Sequence, residues 1–135
     1  MSTQTERLKR RLAAVPVAVK QAVTPALIKG GEEIAAAQKA LAPEDTGALR
    51  DSITVTPPGQ ATPAYSQPGG STVAGENEVL VTAGNSEVRY PHLVEFGTAK
   101  APAQPFFWAG FRLTRKRAQN RVKRSIKKAV REAWE

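Results

Sequence analysis

Few side chains in this 135-residue sequence could do chemistry, and their spacing limits what that chemistry could be. His92 is the single histidine and no cysteine is present, so a zinc–thiolate set, a thiol nucleophile and a disulfide staple are all excluded. Without an HxxxH pair or carboxylates at ligand spacing beside it, His92 reads as a structural residue. Glu95 stands between Val94 and Phe96, where partial burial could make a general base, yet no nucleophile lies near it in sequence. It reads instead as a carboxylate bonded to Arg50, Arg89 or neighbouring backbone N–H groups. Gly69-Gly70 lacks the lysine and the strand-to-helix setting of a phosphate loop. The residues therefore point away from an enzyme and call for no cofactor or metal.

Charge is the stronger signal. The net charge is +8, spread as +4 over residues 1–42, −4 over 43–111 and +8 over 112–135. In the last segment Phe107, Phe111, Ala118, Val122, Ser125, Ile126, Ala129 and Ala133 form an apolar stripe at helical spacing. Lys116, Lys123, Arg124, Lys127 and Arg131 lie opposite, and Trp134 also points away from the stripe. Like charges at helical neighbour spacing repel, so such a face expects an anion: the phosphates of DNA, or an acidic protein surface. Arg112 to Arg131 contains no aromatic residue to stack a base, which disfavours single-strand recognition. Ala and Ser dominate the stripe after Phe111, too weak an anchor for a membrane surface. The plain alternative is a solvated helix face.

These residues need elements to position them. From Leu8 the apolar residues fall at Leu12, Val15, Val19, Val23, Leu27, Ile34, Ala37 and Leu41, in steps of three and four. Pro16 and Pro25 interrupt that pattern, predicting a short first helix, a break near Val15-Pro16 and a longer helix to Leu41. Asp45 or Thr46 can cap a short turn with Leu49 and Ile53 on its buried side. Ser52–Thr56 and Glu78–Ala83 read as two strands, most simply antiparallel. Between them, residues 57–77 hold four prolines and four glycines without an apolar period, predicting a long flexible arm, either a mobile loop of the isolated protein or a segment that orders on a neighbouring subunit. Leu93, Val94 and Phe96 predict a helical turn burying an aromatic-aliphatic cluster, ended by Gly97 in the left-handed conformation. Pro102 and Pro105 hold the next stretch extended until Phe106, Phe107 and Trp108 arrive as an anchor. No uninterrupted apolar run approaches the length needed to cross a bilayer, and the basic N-terminus lacks the apolar core of a signal peptide.

Three motifs in order, DTGALRDSI (Asp45–Ile53), YPHLVEFGT (Tyr90–Thr98) and PAQPFF (Pro102–Phe107) followed by a helix, carry a family resemblance. Over roughly residues 10–130 the chain resembles the tail-component family of tailed phages, the HK97 tenth-gene-product type. The positions that carry it are Thr46, Gly47, Leu49, Arg50, Tyr90, Glu95, Phe96, Gly97, Pro105, Phe106 and Phe107. The resemblance implies a structural tail-completion or neck protein that joins a DNA-filled head to a tail. It implies a homo-oligomeric ring, a hexamer, in the virion at the head–tail junction, assembled in the bacterial cytoplasm. Portal connector, stopper, tail terminator and tail-tube proteins would be its neighbours, with packaged DNA a further contact and no membrane.

The expected architecture is one α+β domain spanning residues 1–135. It has N-terminal helices, a small antiparallel sheet, and a long basic C-terminal helix packed across that sheet. The rival reading of the charge is a basic, non-specific DNA-binding protein.

Overall fold

A computed structural model describes residues 2–43 and 47–134, without the side chains of Ser2, Thr3 and Arg11. The caps expected from Asp45 and Thr46 therefore fall outside the described residues. The chain runs α1 (Ser2–Leu41), α2 (Ala48–Asp51), β1 (Thr54–Thr56), β2 (Leu80–Thr82), α3 (Pro91–Phe96) and α4 (Phe107–Trp134), an α+β arrangement. β1 and β2 are antiparallel, with Thr54 opposite Thr82 and Thr56 opposite Leu80.

The N-terminal helices are one helix. α1 continues through Pro16 and Pro25. Each proline removes one helical hydrogen bond, but both are exposed, so the carbonyls left without donors lie on the solvent side. Burial of Val23, Ala26 and Ala35 holds the helix together across the interruptions. Because the prolines do not divide it, α1 is long and apolar enough to cross a membrane by length and composition, contrary to the expectation from uninterrupted apolar runs.

α4 packs chiefly along α1 and not across the sheet as expected. The two helices are antiparallel: Phe107 and Gly110 lie by Gln38, Ala118 by Gly30, and Ser125 by Ala22. Gly110 permits the closest approach, since a Cβ there would stand 2.6 Å from Gln38 Cγ and 2.8 Å from its Cα. α1 in turn lies on the sheet, where Gly31 meets Val55, Val79 and Val81. Between α1 and α4, Arg121 bonds Glu33 and the Ser125 hydroxyl donates to the Ala22 carbonyl.

The core gathers Ala35, Ala42, Leu49, Ile53, Ala83, Val88, Phe106 and Phe107. Ser52 ties α2 to the sheet. Its hydroxyl donates to the Leu49 carbonyl at 2.6 Å and accepts the Gly84 amide at 2.9 Å. Residues 57–77 form a bonded excursion with Ala61 bridged to Val73 and Gln67 to Ala83. Thr62 accepts the Thr72 amide at 2.7 Å, and Thr62, Ser66 and Ala74 are buried.

Candidate functional site

The residues that organise the site come from α3 and the first turn of α4. Pro91 at the start of α3 is preset for a helix, and Pro91 and Glu95, four residues apart, form its buried side. The helix ends at Gly97, whose amide donates to the Leu93 carbonyl at 2.9 Å. Gly97 adopts φ 79° with ψ 173°, an extended positive-φ conformation in place of the expected left-handed one, and only glycine occupies that region readily. A Cβ there would also stand 2.7 Å from the Ala103 nitrogen. The Gln104 amide bonds the Val94 carbonyl at 2.8 Å, so the proline-rich stretch is folded back onto α3.

That return brings the start of α4 over Glu95. One carboxylate oxygen accepts the amides of Phe106 and Phe107 at 2.8 and 3.1 Å, and the other accepts that of Trp108 at 2.9 Å. Glu95 is only 6% exposed. The amides at a helix start have no partner inside the helix, and its dipole favours a negative charge there, so Glu95 caps α4 from a different element. The expected backbone partners are thus correct in kind but lie 11–13 residues ahead. Arg89 stacks over the Tyr65 ring at 3.7 Å from its centroid.

Phe106 is fully buried and Phe107 nearly so. Phe107, Trp108 and Phe111 continue from Phe106 as a series of edge-to-face aromatic contacts. Pro105 is exposed immediately before them. The expected cluster of α3 is corrected: Phe96 is 71% and Leu93 46% exposed, because the inward face of this short helix is taken by Pro91 and Glu95. Tyr90 joins them on the outer side. Gly47, in the left-handed conformation, precedes α2, where Leu49 is buried and Arg50 half-buried.

His92 is exposed and shares with Glu95 the lining of a hollow of about 70 Å³. Among the described residues no three His, Asp or Glu side chains converge as a metal site. Lys116, Lys123, Arg124, Lys127, Arg131 and Trp134 are all exposed along α4. Among the described residues none of the five cations takes part in an ion pair. By contrast three acids of the middle segment are engaged: Glu95 caps α4, Glu76 meets Lys20, and Glu78 accepts the Gly75 amide, while Asp51 and Glu87 are exposed. Arg121, absent from the expected cationic face, turns inward to Glu33; only its place beside Val122 in the stripe hinted at this.

The chain is thus a small α+β subunit with a capped helix junction, exposed apolar side chains on α3 and an exposed cationic helix. Residues 6–97 match the family described as "Bacteriophage HK97-gp10, putative tail-component", and the chain belongs to that family. It is a structural phage protein of the virion and acts with other phage structural proteins. The match takes in α1 to α3 and closes at Gly97, before the helix that Glu95 caps. No curated protein and no solved structure matches the chain.

Proposed function

We propose that this tail component is a tail-completion or neck protein without enzymatic activity, forming a hexameric ring at the head–tail junction and joining head to tail. Its neighbours are the portal connector, stopper, tail terminator and tail tube. The observation that carries the reading is the α4 face of Lys116, Lys123, Arg124, Lys127 and Arg131, exposed and outside any ion pair among the described residues. Concentrated like charge gains a lone subunit nothing and suits an acidic neighbour. Glu76, Glu78 and Glu95 are engaged within the chain, and the acidic surface that meets these five cations is assigned to a neighbouring neck protein. The 57–77 arm, with Tyr65 and Val73 exposed, gains further order on an adjacent subunit.

Reversing Lys123, Arg124 and Lys127 to Glu tests the proposal. The variant should fold, and cells producing it should accumulate separate DNA-filled heads and free tails. Joined particles that eject DNA abnormally would assign the face to DNA in the lumen. Wild-type infectivity would reduce it to a solvated surface. A purified protein that forms no ring, but binds duplex DNA with steep salt dependence, would favour the non-specific DNA-binding reading.

A further inference from the structure

The fold exposes an apolar ridge and, elsewhere on the same chain, an open apolar groove. The ridge is Tyr90, Leu93 and Phe96, spaced by three along the outer side of α3 and exposed by 39%, 46% and 71%. The groove encloses about 490 Å³ and is walled by Leu27 and Ile34 of α1, Val79 and Val81 on the sheet side, and Phe111 and Val122 of α4. We propose that Leu93 and Phe96 of one copy seat in this groove of the next, so that the occupant is a second copy of this chain. The inference rests on the ring proposed above and names its contact.

Two observations favour a second copy. First, the ridge cannot serve its own groove: the bonds from Glu95 to the amides of residues 106–108 fix α3 at the N-terminal end of α4, whereas the groove starts at Phe111. Second, the charges match. Asn85 accepts the amides of Glu87 and Val88, closing a turn that presents an exposed Glu87. That turn is packed on α3, because a Cβ on Gly84 would lie 2.8 Å from the Val88 carbonyl and 3.0 Å from Pro91. Arg115 is exposed on the groove rim and, among the described residues, belongs to no ion pair. Because ridge and groove are different surfaces, every copy can give one and receive the other. Such a contact is heterologous and closes into a ring when its rotation allows.

The absence of cysteine makes the test direct. Phe96→Cys and Val122→Cys chains, purified separately and mixed, should give covalent dimers with a short bismaleimide, while neither alone does so. Glu87→Lys should weaken self-association about tenfold, and Arg115→Glu in the same chain should restore it. Phe96→Ser should abolish assembly yet melt as the wild type does at a dilution where neither assembles. A monomer at every concentration, equal cross-linking of Phe96→Cys with itself, or rings that never couple positions 96 and 122 would each overturn the contact. If Phe96→Ser blocks self-association yet heads and tails still join, the contact stands and the neck reading falls. Rings coupled at other positions, with joining intact, give the reverse.

Discussion

The side-chain amide of Gln38 donates to the carbonyl oxygen of Phe107 across 2.9 Å, pinning α1 to the first turn of α4. Gln38 is 1% exposed, and the junction leaves no room for a methyl group on Gly110. Gly110→Ala should therefore force the helices apart and cost about 1–3 kcal/mol, as overpacking does. Urea unfolding measures it, and a midpoint equal to wild type would mean that α1 and α4 do not meet at this point.

Removing the cap should loosen α4 at its start. Glu95→Ala leaves three amides without their acceptor and should cost roughly 2–3 kcal/mol, in the range of hydrogen bonds to charged groups. Glu95→Gln, which keeps an acceptor oxygen, should lose less. Hydrogen exchange supplies the local readout: the amides of residues 106–108 should exchange at least tenfold faster in the alanine variant, and unchanged protection there would refute the capping role.

Phe106 and Phe96 should separate cleanly. Phe106→Ala empties a fully buried site and should cost about 3–5 kcal/mol, whereas Phe96→Ala should stay within about 0.5 kcal/mol of wild type. Thermal melts of the two variants decide the matter, and equal destabilisation would place Phe96 in the core.

Where local rules suffice, the sequence was a good guide. The start of α4 followed from the prolines before Phe106, its inward stripe from spacing, and the β1–β2 pair from alternation. What was not legible depends on tertiary contacts. Whether Pro16 breaks a helix depends on whether its ring meets solvent or core. Which side of α3 faces inward was decided by Glu95, whose partners are reached only after the chain doubles back through Gln104. Nothing local to Gly110 marks it as the point of closest approach, because the glutamine that needs its missing side chain lies 72 positions earlier.

The Glu33–Arg121 pair should couple the helices modestly. Its side chains are 24% and 32% exposed, so solvent weakens the attraction. A double-mutant cycle with Glu33→Ala and Arg121→Ala should give about 1 kcal/mol of coupling, falling with added salt. Zero coupling at low salt would show that the contact contributes nothing.

Thr62→Ala should release the base of the 57–77 excursion, where its hydroxyl accepts the Thr72 amide. Subtilisin should then cut within the segment several-fold faster while the global melting temperature changes little. Cleavage at the wild-type rate would show that the remaining bonds hold the segment unaided.

Antiparallel packing of α1 against α4 also has a kinetic consequence. Exposed Arg7, Lys9 and Arg10 near the start of α1 are brought to the same pole as Lys127, Lys128 and Arg131 near the end of α4, while α3 sits at the opposite pole. A sequence basic at both ends and acidic in its middle thus folds into a particle with an electric dipole along its long axis. In the field of an acidic docking surface such a particle rotates before it touches, and successive subunits arrive already facing the same way. Ionic strength then acts mainly on how fast subunits are recruited, and much less on how long a seated one remains.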